Sequence, residues 1–228
     1  MSYGGNAMDL KEALKERHSV RRYEERSIEE DLIKDLEAFI DKVNEESGLH
    51  IQFVKNEPKA FSGVLAHYGN FSGVTNYLAI VGKKSDDLDM NAGYYGQKIV
   101  LYAQTLGLRS CWVALTYQKV PNAFKIDPGE KLVIVISIGY GLEEGKEHRS
   151  KDATEVSNIG DDSPEWFKEG VKAALLAPTA VNQQRFKLIL SDDKVRAKAG
   201  AAFNAKIDLG IVKYNFEVGS GKGHDIWL

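Results

Sequence analysis

The sequence predicts an α+β fold in which helices pack in layers on a sheet. Helical periodicities and short β-prone runs follow one another without the strict β–α–β alternation of a doubly wound parallel sheet. The segment 91–108 is apolar on nearly all sides, which predicts a central helix enclosed by the fold or by a partner. Residues 132–138 are continuously β-prone, which is typical of a buried strand.

The composition is that of a soluble globular protein. Its 228 residues are 43% hydrophobic and 28% charged, and a formal net charge of -3 provides no basic field that would attract nucleic acid. No apolar run is long enough to cross a bilayer, and the N-terminus lacks the basic region and apolar core of a secretory signal. We therefore expect a cytoplasmic protein that binds neither nucleic acid nor membrane.

The cysteine and histidine content does not favour disulfide or metal chemistry. The single cysteine, Cys111, excludes an internal disulfide and is predicted to be a small buried hydrophobe. The five histidines include no pair at the spacing of metal ligands. We expect no metal site.

Local signals divide the first part of the chain into helices and strands. Asp9 with Glu12, and Ser27 with Glu30, have the spacing of capping boxes and predict the start of two helices. The second of these helices carries apolar residues at helical spacing as far as Val43. Strands are predicted at 50–54, 77–82, 110–115 and 132–138.

The second part of the chain begins after a polar segment, 142–162, which is either an exposed crossover or a linker. Ser163 and Pro164 open a helix, with proline at the first helical position, and Pro178 ends it. The remaining predicted elements are a strand at 186–190, a short helix at 192–203 and an apolar helix at 207–221.

A faint internal repeat connects the two parts. LKEALK at Leu10 matches FKEGVK at Phe167, and the helix containing Gly93 matches the one containing Gly210. Duplication and chance similarity between helices both explain this match. We divide the chain into a disordered N-terminus at 1–8, a first half at 9–160 and a second half at 161–228, packed into one compact unit.

Two stretches carry concentrated polar chemistry. RHSVRRY, from Arg17 to Tyr23, is either a solvated basic helix end or an anion site in which arginine forks grip a phosphate. APTAVNQ, from Ala177 to Gln183, is either a plain helix stop and turn or a polar edge for a ligand. LGLRSCW and EHRSK each have an equally ordinary structural explanation, as a helix end and a solvated loop.

Taken together, these stretches resemble the nitroreductase family of flavoenzymes. The resemblance rests on RHSVR followed by an aromatic, the APTAVNQ turn before a strand, the glycine-containing central helix ending in LGLRSCW, and VIVISIGYG followed by HRSK. It covers most of the chain and implies a layered αβα fold with a mostly antiparallel central sheet.

The order of these motifs departs from the usual family pattern. In ordinary members the turn follows soon after the arginine–serine motif, and the flavin lies between two subunits. Here the turn comes late in the sequence, beyond the strand that ends at Gly139. The resemblance therefore implies a rearranged branch with two fused pseudo-repeat halves, present as a monomeric pseudo-dimer or as a homodimer.

The resemblance also implies FMN as cofactor, NADH or NADPH as co-substrate, and hydride transfer to a nitroaromatic, a quinone or another small acceptor. No catalytic side chain is assigned, because hydride passes between stacked groups. The residues implied at the phosphate are Arg17, Ser19, Arg21, Arg149 and Lys151. His18 is implied near the ribityl chain or ring edge. The residues implied around the ring are Trp112, Val113, Ala114, Pro178, Thr179, Ala180 and Asn182.

Two alternatives to a flavoenzyme remain at this stage. One is a flavin- or nucleotide-binding protein, or a degenerate member of the fold, without catalysis. The other is a structural dimer formed through the apolar helix at 91–108.

Overall fold

A computed structural model describes residues 8–228 of the chain. The segment 1–8, predicted to be disordered, lies outside the described residues except for Met8. None of the helices within 8–228 has the combination of length and hydropathy that crossing a membrane requires.

Seven α-helices, six strands and three short 3-10 helices make up the regular structure of the described residues. The helices are α1 (Leu10–Glu16), α2 (Glu30–Ser47), α3 (Val64–Tyr68), α4 (Leu88–Thr105), α5 (Ala153–Val156), α6 (Glu165–Leu175) and α7 (Ala205–Ser220). The strands are β1 (His50–Val54), β2 (Tyr77–Lys83), β3 (Arg109–Val113), β4 (Glu130–Gly139), β5 (Phe186–Ser191) and β6 (Lys194–Ala199).

Four strands form one antiparallel sheet in the order β1-β2-β4-β3, and β5 and β6 form a separate hairpin. Residues along β2 alternate between the two faces of the sheet, as the period of a strand requires. Leu78 and Ile80 join the core formed with the helices, whereas Tyr77, Ala79 and Val81 join a second core. The sheet is therefore buried on both faces, and the predicted α+β fold with a mostly antiparallel central sheet is confirmed.

Helix α4 is enclosed by α7 of the same chain. A β-carbon at Gly93 would lie 2.0 Å from the carbonyl oxygen of Ile207, and one at Gly210 would lie 2.0 Å from that of Met90. Only glycine allows two backbones to approach so closely. The contacts are reciprocal, since each glycine faces the residue three positions before the other, and these are the two glycines that the sequence repeat aligns.

Two sequence-based predictions at helix starts were wrong. Helix α2 begins at Glu30, and the Ser27 side chain does not cap it. The reason is that Glu29 occupies the N-cap position, where its carboxylate accepts hydrogen bonds from Arg26 and Tyr140. Helix α6 begins at Glu165, so Pro164 is the N-cap residue and not the first helical residue.

The helix predicted at 192–203 was also wrong, because Lys194–Ala199 forms strand β6. Alanine and lysine are good helix formers, but such local propensity is overridden here by pairing with β5. Asp192 adopts the left-handed conformation (φ +52°) in the turn of the hairpin, and Val195 is fully buried. In the polar segment 142–162, helix α5 was not predicted at all; Asp152 and Glu155 form its capping box.

Replacing Gly210 with alanine should destabilise the protein by about 3 kcal/mol, because an added methyl group forces α4 and α7 apart. This loss exceeds the roughly 1 kcal/mol that alanine gains over glycine in a helix. Urea unfolding of Gly210→Ala measures the change. The matched control is Gly160→Ala, since a β-carbon at Gly160 meets no atom within 4 Å. Equal stabilities of the two variants would contradict the close crossing.

Candidate functional site

Two adjoining cavities lie where the segment after α1 meets the turn after α6. The larger one, here called the basic cavity, has a volume of about 520 Å³ and is lined in part by Arg17, Ser19 and Arg21. The smaller one, here called the narrow cavity, has a volume of about 120 Å³. The two cavities share a wall, because five residues line both: Ser19, Arg21, Pro178, Thr179 and Val181.

The arginine–serine segment reaches the basic cavity as an extended strand. The Val20 N–H donates to the carbonyl of Ser110 on β3 at 3.1 Å, and Ser19 pairs with the same residue. Successive side chains in an extended segment point to opposite sides. Val20 is fully buried in the core, and the alternate residues Arg17, Ser19 and Arg21 line the cavity.

Arg17 is a buried cation without an anionic partner. Its side chain is 4% exposed, and no carboxylate of residues 8–228 lies within salt-bridge distance of it or of Arg21. Burial lowers the pKa of Arg17 to about 10, so the guanidinium still carries its charge at neutral pH. Arg22 differs, because it is paired with Glu143. A buried charge is costly unless it is paired, and two guanidinium forks without partners suit an anion with several oxygens.

The turn at 177–184 is held by hydrogen bonds from neighbouring segments. Asn182 Nδ2 donates to the carbonyl of Arg149 at 2.9 Å, and Lys151 Nζ donates to the carbonyl of Gln184 at 3.1 Å. Within the turn, Thr179 Oγ1 accepts the Gln184 N–H at 3.0 Å. Arg149 and Lys151 therefore hold the turn in place, and neither is among the residues that line the cavities.

The narrow cavity is lined by both apolar and polar side chains. Strand β3 and the residue after it contribute Cys111, Trp112 and Ala114. The indole Nε1 of Trp112 donates to Gln97 Oε1 at 3.3 Å, which fixes the plane of the ring. Cys111 is buried as predicted, and burial raises the pKa of its thiol. Another part of the wall comes from Ile207, Asp208 and Ile211 at the start of α7.

The structure brings most of the predicted site residues to these two cavities. Those that line one or both are Arg17, Ser19, Arg21, Trp112, Ala114, Pro178, Thr179, Ala180 and Asn182. His18 and Val113 do not line them, because each is the alternate residue of an extended segment and points away. Val113 belongs to the second core, and burial lowers the pKa of His18.

The cavities are also lined by residues that were not predicted to belong to the site, among them Lys146, His148, Val181 and Asp208. Asp208 could have been identified from the sequence, because a carboxylate near the start of an otherwise apolar helix needs a partner when it is buried. Its oxygens accept the Ala180 N–H and the Gln183 amide, and burial raises its pKa to about 6. Val181 and His148 lie in the APTAVNQ and EHRSK stretches but were not singled out there, and Lys146 lies directly before EHRSK.

One histidine–carboxylate cluster lies away from the cavities. Ligand atoms of His50, Asp127 and Glu130 all lie within 4.8 Å of one another. His50 Nδ1 is 2.9 Å from Glu130, and Asp127 forms a salt bridge with Lys125. These contacts already pair the charges of the cluster.

Solved structures of similar fold are nitroreductases or proteins like them. A "putative nitroreductase" from Thermotoga maritima is 22% identical over 96% of this chain and 87% of its own, with a TM-score of 0.70. A nitroreductase-like protein from Streptococcus mutans is 16% identical over 65% of this chain and 96% of its own, with a TM-score of 0.54. A "putative nitroreductase in complex with FMN" from Desulfovibrio desulfuricans is 15% identical over 68% of this chain and 98% of its own, with a TM-score of 0.51.

These likenesses confirm the predicted nitroreductase-like fold. No curated protein matches the chain. The model of one family, described as "Putative TM nitroreductase", matches residues 9–220 and thus nearly the whole sequence. The resemblance inferred from the motifs is therefore confirmed, and the chain belongs to this nitroreductase family.

Proposed function

We propose that the protein is an FMN-dependent oxidoreductase that takes hydride from NADH or NADPH and passes it to a small acceptor, such as a nitroaromatic or a quinone. The observation that carries this proposal is the buried guanidinium of Arg17, which has no anionic partner in the described part of the chain, on a cavity that adjoins a second one lined in part by Trp112 and Pro178. The bound FMN of the Desulfovibrio desulfuricans protein of similar fold supports the same cofactor here.

The residues present fit the chemistry of FMN. Its phosphate carries close to two negative charges at neutral pH, which suits Arg17 and Arg21 with the hydroxyl of Ser19. The ring system has apolar faces and a polar edge, which suit Trp112 and Pro178 together with the backbone of the turn. The basic cavity, at about 520 Å³, has the size of ordinary ligand sites.

When bound, FMN supplies the hydride chemistry. The chain then binds the phosphate, orients the ring and keeps water from its apolar faces. No acid or base side chain is needed for hydride transfer, so we assign no catalytic residue. Arg17 and Arg21 place positive charge beside the site, which favours a ligand that gains negative charge on reduction.

We also propose that the chain is a fused pseudo-dimer that needs no second copy to build its site. Arg17 and Arg21 come from the predicted first half and Asn182 from the second, and all three line one cavity. The reciprocal contacts at Gly93 and Gly210 support the same division. This arrangement would replace the subunit interface at which ordinary family members are expected to bind flavin.

The protein should bind one FMN, and Arg21→Ala should weaken that binding by about 1.5–3 kcal/mol, because a charged hydrogen bond to the phosphate is lost. Titration of the apoprotein, followed by flavin absorption and fluorescence, measures the affinity. Riboflavin lacks the phosphate, so its affinity should change little in the same variant. Arg196→Ala is the matched control, since Arg196 is exposed on β6, outside the cavities.

Loss of flavin absorption on adding NADH or NADPH distinguishes an oxidoreductase from a carrier of FMN. A protein that binds FMN but is not reduced by either nucleotide is a carrier. A protein that takes up no FMN refutes the proposal, as does equal FMN affinity in Arg21→Ala and wild type.

The protein should be a monomer of 25.3 kDa in solution, because α7 already covers the apolar helix α4 within the chain. Light scattering after size exclusion measures the mass. The result should not change on adding FMN. A dimer that dissociates when FMN is removed would contradict the fused arrangement.

A further inference from the structure

The turn beside the cavities is held in a strained backbone conformation. Val181, Asn182 and Gln184 have φ angles of +45°, +54° and +45°, all in the left-handed region. This region is uncommon for residues other than glycine, and for a β-branched residue it is a true outlier. Val181 is also 95% exposed, so packing within the chain does not compensate for its conformation. Strain of this kind persists only where the surroundings impose it.

The carboxylate of Asp208 on α7 holds the turn in this strained conformation through hydrogen bonds to two of its residues. Both of its oxygens accept the Ala180 N–H, at 3.0 and 3.1 Å, and one accepts Gln183 Nε2 at 2.6 Å. Ala180 precedes the strained segment, and Gln183 lies within it. Hydrogen bonds to an ionised acceptor are shorter and about twice as strong as neutral ones. The charge of Asp208 therefore contributes directly to the shape of the turn.

The same charge is unfavourable for the folded protein. Asp208 is 4% exposed, and burial raises its pKa from 3.8 to about 6. The other titratable groups that line the narrow cavity are Arg21 and Cys111, and Arg21 forms no salt bridge with Asp208. A neutral asparagine has nearly the same shape and avoids burying a charge. The carboxylate thus serves something other than stability.

We propose that Asp208 is a positioning residue for the cofactor, and that its charged carboxylate fixes the Ala180–Gln183 turn, with Val181 at its tip, in the shape that the site requires. The inference rests on the proposed binding of FMN. It assigns Asp208 no chemical step. Loss of the charge should loosen the turn and weaken FMN binding.

Asp208→Asn should raise the dissociation constant of FMN roughly tenfold at about pH 8, the loss of a charged hydrogen bond. The ratio of the two dissociation constants, variant over wild type, should fall toward one below about pH 5, because wild-type Asp208 is then neutral as well. Protonation of the FMN phosphate near the same pH affects both proteins equally and cancels in this ratio. Fluorescence titration measures both constants. A ratio near one at about pH 8, or a ratio independent of pH, would overturn the proposal.

Unfolding of the apoprotein provides a readout that does not involve FMN. Because the folded pKa of Asp208 lies above its unfolded value, this group's contribution to stability is complete below pH 3.8 and is lost as the pH rises through about 6. The unfolding constant of wild type relative to Asp208→Asn should therefore rise about 100-fold over that range. Asp193→Asn, at an exposed position in the hairpin turn, should match wild type throughout.

The two readouts separate the possible failures. If wild type binds no FMN, the proposed function fails, while apoprotein unfolding still shows whether the charge of Asp208 opposes folding. If FMN binds equally well to both proteins and Asp208→Asn is less stable at about pH 8, Asp208 is only structural and this proposal alone fails.

A second substitution tests whether Asp208 acts through the strained turn. Asparagine adopts the left-handed conformation more readily than valine, so Val181→Asn should reduce the dependence of the turn on Asp208. In that background, Asp208→Asn should weaken FMN binding by about threefold or less, a non-additive effect. An unchanged tenfold effect would show that the carboxylate does not act through the turn.

Discussion

The close crossing of α4 and α7 is the contact on which the rest of the structure depends. Gly93 and Gly210 allow the two backbones to touch, and the helices then fill the space between the sheet and α6. The narrow cavity depends on this crossing, since α7 supplies part of its wall and α4 supplies Gln97, which orients Trp112 on another part. A separation of the helices would therefore also separate the walls of the site.

Two buried charges of opposite sign lie along the adjoining cavities, and they do not pair with each other. Arg17 lines the basic cavity and Asp208 the narrow one, each only 4% exposed. Burial of either charge disfavours the folded state, as the lowered pKa of Arg17 and the raised pKa of Asp208 indicate. A ligand that binds only the folded state at these cavities would add about 2.7 kcal/mol of stability at a concentration of 100 times its dissociation constant.

Strong local patterns predicted the fold well, whereas long-range pairing limited the prediction. The enclosed helix α4 and the continuous strand β4 were found, because burial on all sides leaves a clear apolar run. Strand β6 was missed because alanine and lysine favour a helix locally, and only its partner β5 makes it a strand. Cap positions such as Ser27 depend on competing side chains that come from elsewhere, here Tyr140.

The parts of the site that lie within one short segment of sequence could be predicted. Arg17, Ser19 and Arg21 were assigned through the resemblance, and the extended conformation that turns these alternate side chains toward the cavity was not predicted. Their meeting with the turn at 177–184 came only from the resemblance, since no local signal connects residues so distant in the sequence. Val181 was overlooked because its importance lies in its φ angle, which residue type alone does not reveal.

The position of Trp112 has an optical consequence. Its indole packs over Gly96 and lines the narrow cavity, whereas Trp166 and Trp227 lie against Phe216, with ring centroids 6.3 and 5.1 Å away. A molecule entering the narrow cavity therefore touches one of the three indoles and leaves the other two in place. The tryptophan fluorescence of the chain therefore contains one signal, from Trp112, that responds to occupancy of the narrow cavity. The signals of Trp166 and Trp227 provide an internal reference.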